Sequence, residues 1–414
     1  MSAGSRHRPA AFAATLLTIF TTIFASNLPT PFYAVWQAEW GFSATALTAV
    51  FAVYVLGVLL MLPTAGPLSD LLGRRQLMIP GMAFTAAAGL VFAGAADLQW
   101  LALGRFLTGL GTGMVTGAAT AALVELDSRG NRAHAGTLSA LAFTAGATAG
   151  PLVGSLALRW LPAPTVFCFL AVAALALGNA FLLSKVAWPA PPAQEGGAVQ
   201  LRRWRPQRLR VPREIWPGFA VAGVAVALTW STGSLYASLG PSIAADLVGV
   251  RDRSLAGLYA AGFQLAGGLG QLAFRRHSPR LLMLFGPAAL VSGMLVSMAG
   301  VMLMSPLLFL VGTLTTALGG GAASVGSVAV VSVLAPDRQR GEIISAFYMI
   351  AYLTMATVVF TVGLSSDRFG LKSTLAVLTG CLVVAAAWLI WRCRRQDPAA
   401  PAPASLEQRP LAGA

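Results

Sequence analysis

The sequence predicts an all-α membrane protein with twelve transmembrane helices in two pseudo-symmetric six-helix bundles. Three observations lead to this fold class: the composition, the number of long apolar runs, and the distribution of lysine and arginine. The chain is 57% hydrophobic and only 10% charged, with a mean hydropathy of +0.73. Soluble domains are roughly 45–50% apolar and about 25% charged, so this chain belongs in a lipid bilayer.

Twelve apolar runs are long enough to cross a bilayer, which takes roughly 20 residues. They lie near residues 11–33, 45–66, 77–96, 99–123, 135–158, 163–184, 215–239, 254–273, 281–302, 305–334, 342–364 and 373–391. The longest polar gap between runs divides them six and six. We therefore expect an N-terminal segment at 1–10, a six-helix bundle at 11–184, a basic linker at 185–213, a second bundle at 214–392 and a Pro/Ala-rich tail at 393–414.

The lysines and arginines predict which side of the membrane each loop occupies. Of the 28, the side that holds both termini and the linker carries 22, and the other side carries five. Loops that stay in the cytoplasm retain positive charge, so we expect an inner-membrane protein with both termini cytoplasmic. The first run is also a candidate secretory signal, but it is longer than the roughly 7–15 apolar residues of a signal core and more spans follow.

The net charge of +14 raises the alternative of nucleic-acid binding. The charge follows the predicted topology instead, so we expect no nucleic-acid partner. Its densest cluster, Leu201–Arg213 with Trp204, suits the surface of anionic lipid. The alternative is a solvated linker with no lipid contact.

Catalytic and metal-binding chemistry has no support in the sequence. The three cysteines are scattered, and the three histidines lie in the N-terminal segment or in loops. Neither set has the spacing of a disulfide framework or a metal site, and no nucleotide-binding, nucleophile-elbow or zinc-protease motif occurs at a plausible place. We expect no enzyme activity, no cofactor and no metal.

The two halves show a weak internal repeat. Gly111, Gly113 and Arg132 match Gly319, Gly321 and Arg340, each pair 208 positions apart, and the segment from Gly66 to Arg75 matches Gly267 to Arg276 at an offset of 201. A parallel repeat in a transporter implies two bundles around a central site.

A loop motif between the second and third spans carries a family resemblance. The segment Gly66-Pro-Leu-Ser-Asp70-Leu-Leu-Gly73-Arg74-Arg75 resembles the G-x-L-x-D-R-x-G-R-R loop of the major facilitator superfamily, with Leu71 where arginine is usual. In that family the loop packs on the eleventh span, so the resemblance implies that Asp70 closes the cytoplasmic side. The alternative is an ordinary basic turn with an incidental aspartate.

Arg105 lies within the fourth span, in a segment Leu101-x-x-x-Arg105-x-x-Thr108-Gly109-x-Gly111 that also resembles a family pattern. A guanidinium inside a span costs roughly 2.5–3.5 kcal/mol on insertion scales, so it needs a partner or water. In the family the matching arginine is tied to proton coupling. The alternative is an arginine that reaches the membrane interface.

The fifth span carries Gly146, Gly150, Pro151 and Gly154 in the spacing G-x-x-x-G-P-x-x-G. This segment resembles the fifth-span motif of the family's twelve-span drug:proton antiporters. Proline bends a helix, and glycines at this spacing allow a neighbouring helix, which we expect to be the eighth, to approach closely. The resemblance implies export by antiport. The alternative is a generic small-residue packing seam.

All fourteen aspartates and glutamates lie in loops, tails or helix ends. Candidates for proton coupling or charge relay are therefore Arg105 together with Asp70, Glu125 and Glu342. We expect Glu125 to pair with Arg75 or Arg132. Without a carboxylate in mid-membrane, a permanently cationic cargo would lack a counter-charge.

Polar and aromatic residues on the spans that face the centre are candidates for the cavity wall. These are Asn27, Tyr54, Thr112, Thr116, Trp230, Tyr236, Gln264, Tyr348 and Tyr352. We expect a monomeric secondary transporter that works by alternating access, most simply a proton-coupled exporter of a small neutral or weakly anionic amphipathic molecule. The alternatives are an uptake symporter or facilitator for an organic or aromatic acid, and a non-transporting membrane scaffold or sensor.

Overall fold

The computed structural model describes residues 4–127, 130–188, 211–250, 252–336 and 339–399, with the backbone alone at residues 4–8 and 253. Trp204 with most of the basic linker, and the tail from residue 400, lie outside the described residues. The secondary structure of the described chain is helical, with connecting turns and loops and no strand.

Twelve long helices, α1 to α12, coincide with the twelve predicted spans. Those of the N-terminal half are α1 (Gly4–Asn27), α2 (Ala44–Leu72), α3 (Arg74–Ala93), α4 (Leu98–Leu126), α5 (Arg132–Trp160) and α6 (Pro164–Lys185). Those of the C-terminal half are α7 (Trp216–Ser238), α8 (Arg253–Phe274), α9 (Pro279–Met302), α10 (Pro306–Leu334), α11 (Arg340–Phe369) and α12 (Leu371–Arg395). A short helix, Phe32–Trp40, continues the first span after a turn at 28–31.

The helix ends follow from local sequence. Ser43, Asp97 and Asn131 accept hydrogen bonds from the first free amides of α2, α4 and α5, which is the ordinary action of an N-cap residue. Gly73 separates α2 from α3 at a φ of 99°, and Gly370 separates α11 from α12 at a φ of 82°. Residues other than glycine rarely adopt these angles, so both breaks are set by the sequence.

The two halves repeat the same packing. In the N-terminal half α4 lies against α2 and α3, and in the C-terminal half α10 lies against α8 and α9. A Cβ on Gly111 would stand 2.8 Å from the carbonyl oxygen of Gly81 on α3, and a Cβ on Gly319 would stand 2.8 Å from that of Gly286 on α9. The matched glycines therefore allow equivalent helices to approach closely in each half.

The halves meet along two helix pairs, α2 with α11 and α5 with α8. We call the end of the molecule where α6 ends and α7 begins the linker face, and the other end the opposite face. On the opposite face, Asp367 of α11 accepts hydrogen bonds from the first amides of α2. At the linker face, Arg275 Nη1 at the end of α8 donates to Thr137 Oγ1 of α5 over 2.7 Å.

Eleven helical segments of the described chain are long and apolar enough to cross a membrane, and α8 is not among them. This 22-residue helix contains Gln264, Gln271 and five glycines. It is packed between α5 and α10, where protein rather than lipid surrounds its polar groups. The position of α8 as the twelfth span therefore depends on its packing against neighbouring helices.

Candidate transport site

Arg105 lies on α4 inside the N-terminal half and is only 2% exposed. Its Nη1 donates a 2.7 Å hydrogen bond to the backbone oxygen of Ser26 near the end of α1. The guanidinium carbon stands 4.8 Å from the ring centre of Phe51, 4.7 Å from that of Tyr54 and 6.0 Å from that of Tyr33. Aromatic faces attract cations at these distances, so three rings and one carbonyl stabilise the charge.

No described carboxylate forms an ion pair with Arg105. Its Nε is buried and has no hydrogen-bond partner, and neither has the hydroxyl of Tyr33. A buried donor without a partner is costly, and native proteins rarely leave one unexplained. The cage therefore holds a buried charge with unused hydrogen-bonding capacity.

A polar contact crosses from one half to the other beside this cage. Gln264 Nε2 of α8 donates to Asn27 Oδ1 of α1 over 2.8 Å, and Asn27 follows Ser26 directly in the chain. These two amides line a narrow crevice that Pro151 of α5 also lines. The end of α1 therefore contacts Arg105 on one side and the C-terminal half on the other.

Three predicted cavity residues form an aromatic cluster in the C-terminal half. The ring of Trp230 on α7 stands edge-on to Tyr352 of α11 at 4.7 Å and is tilted toward Tyr348 at 6.1 Å. All three are half-buried. Tyr352 lies on α11, which packs against α2, the helix that carries Tyr54 of the Arg105 cage. The aromatic cluster and the cage are thus carried in part by two neighbouring helices, one from each half.

The other predicted cavity residues have different surroundings. Tyr236 is 2% exposed and its hydroxyl bonds Ser297 Oγ at 2.7 Å, so it packs inside the C-terminal half and does not line a cavity. Thr112 is buried and bonds Ser26 Oγ at 3.0 Å, joining α4 to α1. Thr116 is exposed and its hydroxyl donates to the backbone of its own helix.

Among the described residues, the side chains of the Gly66–Arg75 loop form their hydrogen bonds and ion pairs within the N-terminal half. Asp70 is 62% exposed and forms its ion pair with Arg74, and no described hydrogen bond or ion pair joins it to α11. Glu125 also pairs with Arg74, over 3.0 Å, so the expected pairing with Arg75 or Arg132 was wrong: the side chain of Arg74 lies between the two carboxylates. Arg75 instead donates to backbone oxygens at the end of α6.

Glu342 stands in the first turn of α11 on the same linker face. No described ion pair involves it. Asp70, Glu125 and Glu342 therefore all lie on the linker face, away from Arg105. A further carboxylate there, Asp127, is buried and contacts His134 Nδ1 at 3.0 Å.

The glycines of α5 face α1, and the expectation that they face α8 was wrong. A Cβ on Gly150 would stand 2.8 Å from the amide nitrogen of Leu28, and one on Gly146 would stand 2.6 Å from the oxygen of Phe20. A Cβ on Gly154 would stand 3.1 Å from the oxygen of Leu28. Helix α8 also packs on α5, but the close contact there depends on glycines of α8. The side chains of Ser155 and Thr144 on α5 occupy the space where Gly257 and Gly268 lack a Cβ.

The opposite face carries contacts that the sequence analysis missed. Arg159 Nη1 at the end of α5 donates to Asp252 Oδ2 over 2.8 Å. Hydrogen bonds from Ser254, and then the nearby charge of Arg159, lower the pKa of Asp252 below its ordinary 3.8. Its charged form is favoured, so the ion pair is retained at neutral pH and weakens only as the pH falls below the ordinary carboxylate value of 3.8.

Two groups of functional residues were absent from the sequence predictions. Tyr33 and Phe51 complete the cage around Arg105, but no local pattern distinguishes them from other aromatic residues in spans. Asp367 does have a signal, because Gly363 and Gly370 flank it at the spacing of the Gly66–Arg75 loop.

Comparison with known proteins agrees with this architecture. A family model described as Major Facilitator Superfamily matches residues 15–349. The chain is 28% identical over 341 residues to the multidrug transporter MdfA of Escherichia coli O6:H1, covering 80% of this chain and 79% of MdfA. It is 30% identical over 158 residues to the class G tetracycline resistance protein of Vibrio anguillarum. It is 33% identical over 115 residues to a triacylglyceride transporter of Mycolicibacterium smegmatis.

The last two matches are partial. They cover 38% of this chain and 39% of the tetracycline resistance protein, and 28% of this chain and 20% of the triacylglyceride transporter. Among solved structures, the nucleoside transporter NupG superposes with a TM-score of 0.74 at 12% identity, covering 92% of this chain and 99% of NupG. A D-xylose–proton symporter superposes with a TM-score of 0.72 at 17% identity, covering 92% and 96%. These two likenesses show the fold, and the family model, which covers most of the chain, shows that the protein belongs to the major facilitator superfamily of membrane transporters.

Proposed function

We propose that this protein exports a small neutral or weakly anionic amphipathic molecule across the inner membrane in exchange for protons. The observation that carries the proposal is the cage around Arg105, where a buried guanidinium has an unused donor and no described carboxylate partner. An oxygen of the cargo that reaches Nε would satisfy this donor. The transporter would work by alternating access, with the cargo held between the two halves.

The electrostatics of the centre favour this cargo class. A lipophilic cation in a low-dielectric site needs a negative partner, and the sequence places all fourteen carboxylates in loops, tails or helix ends. Arg105 repels cations and attracts partial or full negative charge. Trp230, Tyr348 and Tyr352 offer flat apolar surface for the remainder of an amphipathic molecule.

The direction of transport rests on α5. Its Gly146-to-Gly154 segment resembles the drug:proton antiporter motif, and the similar MdfA and class G proteins are named for multidrug transport and tetracycline resistance. The glycines hold α5 tightly against α1, beside the contact of Asn27 with Gln264. A rigid contact between α5 and α1 would limit proton leakage during exchange.

Protons would leave the transporter at the linker face, which we place in the cytoplasm with both termini. Asp70 and Glu125 share Arg74 there, so protonation of one carboxylate strengthens the hold of Arg74 on the other. Glu342 has no described ion-pair partner. We further propose that the protein is a monomer and that its basic linker, residues 185–213, contacts anionic lipid.

The test uses everted inner-membrane vesicles that respiration makes acidic inside. Tetracycline and benzoate serve as anionic or weakly polar probes, and tetraphenylphosphonium serves as a permanent cation. Addition of an exported probe should collapse part of the pH gradient, seen as recovery of fluorescence from an acridine dye. Accumulation of a probe without change in the gradient would contradict antiport, and uptake into intact cells that falls with a protonophore would identify symport instead.

Gly150→Leu should abolish exchange without blocking insertion in the membrane, because the new side chain meets the backbone of α1. Pro151→Leu should do the same by removing the bend. Gly136→Leu is the matched control on the same helix, since nothing lies within 4 Å of its Cβ position. An active Gly150→Leu variant would remove the argument for antiport.

A further inference from the structure

The junction between α11 and α12 repeats the spacing of the loop between α2 and α3. Gly66, Asp70 and Gly73 correspond to Gly363, Asp367 and Gly370, each pair 297 positions apart, and Ser69 and Arg75 correspond to Ser366 and Lys372 at the same offset. This offset differs from those of the parallel repeat. The two junctions lie at opposite ends of the molecule, one on the linker face and one on the opposite face.

The backbones of the two junctions are alike. Gly73 ends α2 and begins α3 with φ 99° and ψ 146°. Gly370 ends α11 and begins α12 with φ 82° and ψ 147°. In each case the glycine amide bonds the carbonyl oxygen of a serine four residues earlier, Ser69 or Ser366. The repeated sequence pattern therefore produces the same turn at both junctions.

In the part of the chain that the structure describes, the second junction forms hydrogen bonds with the other half. Asp367 Oδ1 accepts from the amide of Ala44 over 3.0 Å, and Oδ2 accepts from the amide of Thr45 over 2.9 Å. These are the first amides of α2, so a full negative charge meets the positive end of a helix. Ser43 is the N-cap residue of the same helix, and its hydroxyl accepts a hydrogen bond from the amide of Ala46.

The glycine one turn before Asp367 brings the two helices together. A Cβ on Gly363 would stand 2.8 Å from the oxygen of Ala44 and would overlap Thr48. The corresponding Gly66 has nothing within 4 Å of its Cβ position, and Asp70 pairs with Arg74 of its own half. One junction is therefore closed against its partner helix while the other is open.

We infer that Asp367 is a positioning residue that holds the opposite face closed by capping the first amides of α2. Of the two matched junctions, this structure shows the Asp367 junction engaged with the other half. The inference concerns the conformational equilibrium and does not depend on the cargo or the coupling ion in the proposed function.

The test measures distances between the halves in purified full-length protein by double electron–electron resonance. Spin labels at Ala96→Cys and Leu303→Cys, both exposed on the opposite face, report its opening. The three native cysteines are first replaced. Asp367→Ala should shift the ratio of open to closed populations about fivefold toward open. This is the shift expected when a charged side chain that stabilises a helix end by about 1 kcal/mol is removed. Asp367→Glu should restore part of the closed population, because it retains the charge.

Asp97→Ala is the matched control. Asp97 caps α4 on the same face by accepting from Gln99 and Trp100, within one half. Its loss should reduce thermal stability without changing the distance distribution. If Asp367→Ala fails to fold, Asp367→Asn, which keeps the shape but not the charge, is measured instead and should shift the population in the same direction.

Asp70→Ala should not open the opposite face, because Asp70 pairs with Arg74 of its own half on the linker face. An unchanged distance distribution in Asp367→Ala would overturn the inference. An equal shift in Asp97→Ala, or opening of the opposite face in Asp70→Ala, would overturn it as well.

Discussion

Helices α4 and α10 are built alike and differ at one position that matters. Gly104, Thr108 and Gly111 on α4 match Gly312, Thr316 and Gly319 on α10. Thr108 Oγ1 donates to the oxygen of Gly104 over 2.6 Å, and Thr316 Oγ1 donates to that of Gly312 over 2.8 Å. The repeat thus reproduces side-chain bonds as well as helix order.

The difference is Arg105, whose counterpart on α10 is Thr313. Thr313 is fully buried and donates to the backbone oxygen of Phe309, within its own helix. Arg105 instead bonds α1 and stacks on residues of α2. The duplicated scaffold therefore supplies packing to both halves, whereas the fixed charge is in one half and the Trp230 cluster is in the other.

The largest effect is expected from removing that charge. Arg105→Ala should lower transport by at least about tenfold, since a hydrogen bond to a charged group contributes about 1.5–3 kcal/mol. Arg105→Lys should remain partly active, because it keeps the charge but not the planar stacking on the rings. The measurement is the initial rate of exchange in vesicles. Thr313→Ala is the control and should retain transport, and an active Arg105→Ala variant would show that the asymmetry has no role.

A smaller effect, on stability, is expected from the glycines that the halves share. Gly111→Ala and Gly319→Ala each place a Cβ within 2.8 Å of a backbone oxygen, and overpacking of this kind costs about 1–3 kcal/mol. Both should lower the apparent melting temperature in detergent, and Gly319→Ala should lower it more, because its Cβ would also overlap the backbone nitrogen of Leu290. Gly117→Ala, which meets nothing within 4 Å, should leave it unchanged. An unchanged melting temperature in either variant would show that the close helix contact at that glycine does not stabilise its half.

The aromatic cluster should affect affinity more than rate. Trp230→Ala removes an aromatic contact worth about 0.5–1.5 kcal/mol, so the KM for an aromatic probe should rise about 2- to 12-fold. The readout is the probe concentration that gives half-maximal exchange. Trp216→Ala, on the same helix but 51% exposed, is the control. A changed maximal rate with unchanged KM would place Trp230 outside the cargo site.

The smallest effect concerns the ion pair of Arg159 with Asp252. Exposed ion pairs contribute about 0.2–1 kcal/mol, so Asp252→Asn should lower the melting temperature slightly. Because the pKa of Asp252 lies below 3.8, its stabilisation is present above that pH and lost below it. The difference from the wild type should be the same at pH 5 and pH 8, and should shrink below pH 4. A difference that changes between pH 5 and pH 8 would contradict a lowered pKa for Asp252.

The sequence was sufficient to predict the fold and the identity of the buried charge. A chain crosses a bilayer as helices or as a closed barrel, and long apolar runs select helices. An arginine inside such a run is conspicuous on energetic grounds. Tertiary partners were harder to predict. Glu125 pairs with Arg74 and not with Arg75 or Arg132, because Arg75 is directed to the end of α6. Rotation of a helix about its axis by a fraction of a turn changes which arginine a carboxylate can reach. The spacing of residues along the chain does not indicate that rotation.

The glycine motif of α5 illustrates the same limit. The spacing correctly indicates that a helix approaches closely, but not which one, because α1 and α8 both pack on α5. The turn at 28–31 carries Tyr33 into the cage of Arg105, and apolar periodicity gives no sign of that turn. Asp367 could have been found by searching for the spacing of the Gly66–Arg75 loop at the other end of the chain.

The polar character of α8 has a consequence for how the protein is made. A helix with two glutamines and five glycines partitions weakly into lipid on its own, and Gln264 finds its partner on Asn27, which is synthesised more than 200 residues earlier. Insertion of α8 then depends on an N-terminal half that is already in the membrane. The C-terminal half expressed alone should be degraded or left with α8 outside the bilayer, and co-expression of the N-terminal half should restore it.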